Sequence, residues 1–233
     1  MRTQTRPTRR EATTMIPLYH DFRGETVVVF GGGSVGYRKA RRFATEARVV
    51  VVSPEFDPRF TDLDSESIEL IRAVPTAATV GSWIDRIDPA LVVIATNNTE
   101  INDAIETAAS ERKLLRNNAA VAGERSAKSV VVPATVSDGP VTVSISTGAN
   151  SPALAKSLRQ QIENEIEGAG QLAELTSELR SELKRSELSP AERRDAIRAV
   201  VRSEAVWKAL HTGDTKAKKE ATRVITETVG DWV

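Results

Sequence analysis

The chain has 233 residues, 40% of them hydrophobic and 27% charged, which is typical of a globular protein with one large domain or two small ones. Its 32 lysine and arginine residues balance 32 aspartate and glutamate residues, so the net charge of zero gives no reason to expect a nucleic-acid partner. The absence of cysteine excludes disulfides and thiolate chemistry and suits a reducing cytoplasm. Only two histidines are present, which argues against a metal site. No apolar run approaches the roughly 18 residues of a membrane helix.

The first 14 residues hold four arginines and one glutamate but no apolar face. A targeting peptide is one interpretation of this composition. The missing amphipathic pattern favours a disordered tail, or an upstream start codon with Met15 as the working start.

A glycine-rich turn follows the first apolar run. Thr26–Phe30 is a continuous β-branched run, as expected for a strand buried on both faces of a parallel sheet. Gly31, Gly33 and Gly36 then fit the pattern G-x-G-x-x-G, and a helical pattern covers Ser34–Glu46. In a dinucleotide site these glycines allow a tight turn, close approach of a pyrophosphate and close helix–strand packing.

The start of this helix is a candidate phosphate site. Free N–H groups at Ser34 and Val35 and the positive end of the helix dipole would face the phosphates. A glycine-rich turn without a ligand is the alternative for the motif taken alone. Strand–helix alternation over about 100 residues favours the dinucleotide site, since it predicts a doubly wound parallel sheet.

The second and fourth predicted strands supply the other cofactor candidates. Val49–Val52 ends at Ser53, Pro54 and Glu55, where a dinucleotide site places an acidic residue for the adenosine ribose. No arginine follows there to accept a 2′-phosphate, so NAD is preferred over NADP. After a third strand at Ile68–Ile71, Leu91–Ala95 ends in Thr96 and Asn97 at the same sheet edge, and a helix over Thr99–Arg112 follows, with Thr99 as its cap.

The pattern changes after Asn118. Val141–Ile145 alternates with period two and is joined to the preceding strand by a turn at Ser137–Pro140, which predicts a hairpin suited to a subunit partner. The polar loop that follows precedes a helix started by Ser151 and Pro152, and is either a second anion site or ordinary capping. From there to the end the patterns predict helices, including a leucine stripe (Leu172, Leu175, Leu179 and Leu183) and a capping box at Ser189.

Several blocks of this sequence resemble the precorrin-2 dehydrogenase family, the dehydrogenase and ferrochelatase part of siroheme synthases. The segment Gly31–Ala40 looks like the family's glycine motif followed by Arg-Lys, and Ala95–Asn98 with Asn102 is similar to its Ala-Thr-Asp/Asn block. Most specific is Ile145–Ala155, close to the family's Ser-Thr-Gly-Gly-x-Ser-Pro-Ala-Leu-Ala. The resemblance covers about residues 15–165 in order.

The resemblance implies an α/β protein in three parts. These are an NAD-binding Rossmann domain at 15–116, an α+β dimerisation region with the hairpin at 117–167, and a helical domain at 168–233. It implies a homodimer that oxidises precorrin-2 to sirohydrochlorin with NAD, and in some members the insertion of Fe²⁺. It also places the polycarboxylate substrate near the polar loop, at Ser146, Thr147, Gly148, Asn150 and Ser151.

One departure from the family pattern concerns its proposed acid/base, an aspartate a few residues after an asparagine. The corresponding position here is near Ala120, and the nearest carboxylate is that of Glu124. Glu124 is therefore the catalytic candidate, because a carboxylate can take the ring proton and alanine cannot. The alternatives are a proton lost to water, a chelatase-only protein, or a non-catalytic homologue that binds NAD or tetrapyrrole.

Overall fold

The computed structural model describes residues 16–63, 66–120, 129–148 and 150–232. The arginine-rich tail and Glu124 therefore lie outside the described residues. The chain divides into two compact units, Met1–Val132 and Pro133–Val233, each with its own apolar core. Among the described residues no helix is long and apolar enough to cross a membrane.

The first unit confirms the predicted Rossmann-type sheet. Its strands are β1 (Thr26–Phe30), β2 (Arg48–Ser53), β3 (Ile68–Arg72), β4 (Leu91–Ile94) and β5 (Leu115–Asn118), and its helices are α1 (Ser34–Phe43), α2 (Val80–Ile87) and α3 (Thr99–Glu111). All five strands are parallel, in the order β3-β2-β1-β4-β5. The order reverses between β1 and β4, and ligands of open α/β sheets bind at the carboxyl ends of strands at such a point.

The continuous apolar strands are explained by burial on both faces. Val28 and Phe30 pack with residues of α2 and α3, whereas Val27 and Val29 pack with residues of α1. All four side chains are 0% exposed. Strands β2 and β4 are likewise buried on both faces, so neither face of the sheet centre tolerates a polar side chain.

The sequence patterns miss two elements of this unit and misplace the end of a third. Helix α2 has only 8 residues, too few for its periodicity to stand out, and β5 holds Arg116 and two asparagines, which are uncommon in strands. Helix α1 ends at Phe43 instead of Glu46. The Thr45 hydroxyl donates to the Arg42 carbonyl at 2.9 Å, a local bond that competes with continuation of the helix.

A buried ion pair joins β5 to α3. Arg116 is 3% exposed, and its Nε donates to Oε1 of Glu106 at 2.5 Å. Removing one partner of a buried pair costs about 3–5 kcal/mol, and the partial exposure of Glu106 reduces that figure. We expect Glu106→Gln to lower the free energy of unfolding by about 2 kcal/mol in urea denaturation.

The matched control for Glu106 is Glu111→Gln on the same helix. Glu111 is exposed and approaches Arg112 at 3.9 Å, so its loss should change the unfolding free energy by less than about 0.5 kcal/mol. Equal stabilities of the two variants would contradict the role given to the Glu106–Arg116 pair.

The second unit begins with the predicted hairpin. Strands β6 (Ala134–Asp138) and β7 (Val141–Ile145) pair antiparallel, with Ala134 opposite Ile145. The helices that follow are α4 (Pro152–Glu165), α5 (Ala169–Leu183), α6 (Pro190–Arg202), α7 (Glu204–Leu210) and α8 (Asp214–Val229). The hairpin turn contacts the start of α5, where the Gly170 N–H donates to the Asp138 carboxylate at 3.0 Å.

The predicted leucine stripe and capping box are both present in the helical part. The four leucines of α5 are buried against apolar residues of α6, α7 and α8, including Val200 and Ile225. The Ser189 hydroxyl accepts from the Glu192 N–H, and the Glu192 carboxylate accepts from the Ser189 N–H. The leucine stripe and the start of α6 were therefore predictable from periodicity and capping, whereas the break at Ser203 between α6 and α7 was not predicted.

Candidate functional site

The carboxyl ends of β2, β1 and β4 lie side by side, with the glycine turn in the middle. The Gly31 N–H donates to the Val52 carbonyl at 3.0 Å, and the Ala95 N–H donates to the Phe30 carbonyl at 2.8 Å. The segment Ser53–Glu55 therefore flanks the turn on one side and Thr96–Asn97 flanks it on the other. The structure brings together the candidates that the sequence had placed at this sheet edge.

Gly31 and Gly36 are required by packing. Gly31 has φ +115°, and a Cβ there would lie 2.4 Å from the Ala95 carbonyl oxygen. A Cβ on Gly36 would lie 1.9 Å from the Gly31 carbonyl oxygen. The first glycine thus permits the tight turn and the third lets α1 contact the turn directly, as the motif predicts.

Packing within the described part of the chain does not require a glycine at position 33. A Cβ at Gly33 would meet no atom within 4 Å, and its φ of −74° suits any residue. Gly33 is the N-cap of α1, no side chain caps this helix, and its first turn has no acidic residue. The N–H groups that begin α1, at Ser34 and Val35, therefore face open space in front of Gly33, and this arrangement fits a dinucleotide pyrophosphate.

Gly32 is a residue whose role the sequence motif does not explain. A Cβ on Gly32 would lie 2.2 Å from the Glu55 carbonyl oxygen and 2.9 Å from the Ser53 Cβ. Its own carbonyl accepts from the Asp57 N–H at 2.8 Å. Gly32 therefore lets the segment after β2 pack onto the glycine turn, and the run of three glycines was the available signal.

The tip of β2 carries no carboxylate at its last position. Ser53 is buried, whereas Pro54 and Glu55 are exposed. The expectation that no arginine lies here is wrong, because Arg72 on the neighbouring strand donates to the Pro54 carbonyl at 2.8 Å. Arg59 is engaged separately: its side-chain hydrogen bond lowers the pKa of Asp57 to about 2.

The tip of β4 is held by a buried asparagine. The Thr96 hydroxyl donates to Oδ1 of Asn102 at 2.6 Å, and Nδ2 of Asn102 donates to the Thr96 carbonyl at 3.2 Å. Asn98, rather than Thr99, caps α3, since its Oδ1 accepts from the Ile101 N–H at 3.1 Å. Asn97 is exposed at the end of this ordered loop. Asn102 thus positions Thr96 beside the glycine turn.

A partly buried lysine on α1 makes the stability of the first unit depend on pH. Burial lowers the pKa of Lys39 to about 8, with smaller contributions from the guanidinium groups of Arg42 and Arg38. A lysine in the unfolded chain has a pKa of about 10.4. Between about pH 8 and this value the unfolded chain therefore holds more protons than the folded protein, and the stability rises with pH.

We expect Lys39→Met to raise the free energy of unfolding at neutral pH by on the order of 1–2 kcal/mol, because it removes a desolvated charge. The advantage of the variant should shrink between about pH 8 and about pH 10.4, as the folded wild-type lysine loses its proton. Urea denaturation of the variant and the wild type across this pH range measures the difference in their free energies of unfolding. A gain that is the same at every pH would show that the ammonium charge is not its cause.

The polar loop before α4 belongs to the second unit and is closed by its own hydrogen bonds. The Thr147 hydroxyl donates to the Ser151 carbonyl at 3.1 Å, and the Ser146 hydroxyl accepts from the Gly148 N–H at 3.3 Å. Ser151 caps α4 by accepting from the Leu154 N–H at 3.2 Å, so ordinary capping is part of its role. Asn150 is exposed.

The position of the missing acid/base lies just after β5. Ala120 is exposed, and its N–H donates to Oδ1 of Asn118 at 3.1 Å. Asn117 is buried and donates to the Val130 carbonyl at 2.8 Å, while its Oδ1 has no hydrogen-bond partner among the described residues. Among the described residues no carboxylate therefore occupies the acid/base position itself. No cluster of three or more acidic or histidine side chains in this described part could hold a metal ion.

Comparison with known proteins gives three matches that agree. A family model described as putative NAD(P)-binding matches residues 18–134. Precorrin-2 dehydrogenase of Methanosarcina barkeri is 34% identical over 218 residues, which cover 92% of this chain and 95% of the relative. A solved structure titled SirC, precorrin-2 dehydrogenase, shares the fold with a TM-score of 0.69 at 21% identity, covering 91% of this chain and all of that one.

Siroheme synthases match with partial coverage. Siroheme synthase 2 of Aeromonas salmonicida is 31% identical over 150 residues, which are 64% of this chain and 29% of the relative. Siroheme synthase of Citrobacter koseri is 28% identical over 89% of this chain and 44% of the relative. The chain therefore spans less than half the length of these two synthases.

Proposed function

Because this chain belongs to the precorrin-2 dehydrogenase family, we propose that it oxidises precorrin-2 to sirohydrochlorin with NAD⁺, a step of siroheme biosynthesis. The observation that carries the proposal is the open Gly33 in front of the uncapped start of α1. It stands in a chain that matches a precorrin-2 dehydrogenase over 92% of its length. The cysteine-free composition suits a reducing cytoplasm, where we place the reaction.

The reaction removes two electrons and two protons from the tetrapyrrole, as one hydride and one proton. NAD⁺, when bound, supplies the hydride acceptor. The chain's part is binding and orientation: the N–H groups of Ser34 and Val35 would hold the pyrophosphate, and Thr96 and Asn97 would flank it. Ser53, Pro54 and Glu55 would lie on the adenosine side.

The remaining proton needs an acceptor. Ala120 cannot serve, so Glu124 or water takes the proton in this proposal. Glu124→Gln separates the two, since a general base contributes about 10²–10⁴-fold to the rate. A drop of that size in turnover at unchanged NAD⁺ affinity supports Glu124, and unchanged turnover assigns the proton to water.

We assign the substrate carboxylates to the polar loop before α4. A helix N-terminus offers free N–H groups and a positive dipole end to anions, and Ser146, Thr147, Gly148, Asn150 and Ser151 add small polar groups. In the described loop Ser146 and Asn150 lie at the surface or close to it. Asn150→Asp places a carboxylate there and should raise the KM for precorrin-2 without changing the affinity for NAD⁺.

A homodimer is part of the proposal. Helix α4 carries an apolar stripe, yet none of its residues is buried by the described part of the chain, and Leu154 is 50% exposed. A stripe that packs on the hairpin but stays partly exposed in this way suits a second copy. Leu154→Glu should convert the dimer to monomers in light-scattering measurements; a wild-type protein that is itself monomeric would contradict this part.

Turnover tests the main proposal against two others. Purified protein is mixed with precorrin-2 and NAD⁺ under anaerobic conditions, and the formation of NADH and of sirohydrochlorin is followed by absorbance. Formation of both supports the dehydrogenase. No turnover with intact NAD⁺ binding would favour a non-catalytic homologue, for which Ala120 is the supporting observation. Fe²⁺ added to sirohydrochlorin then tests the chelatase, in which the ion is a substrate.

A further inference from the structure

Arg72 lies at the adenosine end of the candidate cofactor site. Strands β2 and β3 pair in a register that sets Arg72 opposite Ser53, so both strands end at the same edge. The Arg72 Nη1 donates to the Pro54 carbonyl at 2.8 Å, and its guanidinium carbon lies 5.4 Å from the centre of the Phe56 ring. The cation is therefore held over the tip of β2, although it is 18 residues further along the chain than Pro54.

The contacts of Phe56 connect Arg72 to the glycine turn. A Cβ on Gly32 would lie 2.8 Å from Cδ1 of Phe56, so this ring rests against the turn on one side and contacts the guanidinium with its face. The cation is thus one aromatic ring away from the loop that would hold the pyrophosphate. In a dinucleotide site this is the region of the adenosine ribose.

The charge of Arg72 is not neutralised within the described part of the chain. No carboxylate there lies within ion-pair distance of it, whereas Arg48 at the opposite end of β2 pairs with Glu69 and Arg59 pairs with Asp57. One of the five N–H donors of the guanidinium is used by the Pro54 carbonyl. The others are free to bind a phosphate.

The residue that excludes a 2′-phosphate in NAD-specific sites is absent from its usual place. The last residue of β2 is Ser53, a neutral side chain, where such sites carry a carboxylate for the ribose hydroxyls. Glu55 is two residues further on, and its carbonyl oxygen packs against Gly32. Glu55 and Arg72 are both exposed at the edge where β2 and β3 end.

We propose that Arg72 binds the 2′-phosphate of NADP⁺, so that this site accepts NADP⁺ as well as NAD⁺. The inference rests on the proposed function, since it concerns the same dinucleotide site. An arginine beside the second strand accommodates a 2′-phosphate in dinucleotide-binding folds, and its planar donors match phosphate oxygens. Arg72 is then the residue that sets cofactor specificity.

Calorimetric titration of the whole chain with NAD⁺ and with NADP⁺ tests the inference without turnover. The wild-type dissociation constants should agree within about tenfold. Arg72→Gln should weaken NADP⁺ binding by about tenfold and leave NAD⁺ binding within about twofold, and Arg72→Lys should fall between the two. Glu55→Gln should strengthen NADP⁺ binding. The matched control is Arg48→Gln, an arginine at the other end of β2, which should alter neither.

Salt supplies a second readout that a purely structural role of Arg72 would not move. The ratio of NADP⁺ to NAD⁺ affinity should fall with ionic strength in the wild type and stay constant in Arg72→Gln. Equal loss of both cofactors in Arg72→Gln, or a wild type that binds NAD⁺ but not NADP⁺, would overturn the inference and leave the dehydrogenase proposal standing. Failure to bind either dinucleotide would overturn both.

Discussion

Gly33→Asp should abolish NAD⁺ binding while leaving the protein as stable as the wild type or slightly more stable. A Cβ at Gly33 would meet no described atom of the protein within 4 Å, and the backbone angles of Gly33 suit an N-cap residue. Aspartate is a better N-cap than glycine by a few tenths of a kcal/mol. Its carboxylate would fill the space that the pyrophosphate needs and would accept hydrogen bonds from the same N–H groups.

The expected weakening of NAD⁺ binding by Gly33→Asp is about 100-fold or more, because like charges brought together cost several kcal/mol. Calorimetric titration measures it, and thermal denaturation checks the fold. Gly33→Asn is the matched control, since asparagine has the same shape and also caps helices but lacks the charge. It should weaken binding less than aspartate does. Unchanged NAD⁺ affinity in Gly33→Asp would remove Gly33 from the cofactor site.

Gly36→Ala, unlike Gly33→Asp, should destabilise the first unit. Its Cβ would lie 1.9 Å from the Gly31 carbonyl oxygen and 3.6 Å from Cγ1 of Val29, and neither the turn nor the buried strand can move away freely. Overpacking against backbone costs about 3 kcal/mol, far more than the roughly 1 kcal/mol that alanine gains over glycine in a helix. We expect a net loss of about 2 kcal/mol or more in urea denaturation.

Gly81→Ala is the matched control for Gly36, because Gly81 is also a helical glycine of the first unit. The atoms nearest to a Cβ on Gly81 would be those at the end of the Arg112 side chain, the closest at 3.2 Å, and that end can shift. Its stability should stay within about 1 kcal/mol of the wild type. Equal effects of the two substitutions would show that α1 does not depend on close contact at Gly36.

Much of the fold was predictable because its determinants are local. The β-branched run before Gly31 predicts a strand buried on both faces, and its residues 27–30 are fully buried. The capping box at Ser189 predicts the start of α6, and both of its hydrogen bonds are present. The roles of Gly31 and Gly36 also followed from the motif, because turn and helix packing are set within a few residues.

What could not be predicted depends on pairing between distant segments. Arg72 reaches the β2 tip through the register of β3 on β2, which no local pattern encodes. The Glu106–Arg116 pair allows a charged residue to lie in β5, whose arginine and two asparagines do not form a strand pattern in the sequence. Gly32 is needed only because the segment after β2 folds back over it. Each of these features appears only when two elements are brought together.

The most direct test of the central claim is the stoichiometry of the reaction without oxygen. Protein saturated with NAD⁺ is titrated with precorrin-2, and NADH and sirohydrochlorin are quantified in the same sample. We expect one NADH for each sirohydrochlorin in the wild type and none of either in Gly33→Asp. Sirohydrochlorin formed without NADH, or formed equally well by Gly33→Asp, would contradict the claim that the glycine turn holds the oxidant.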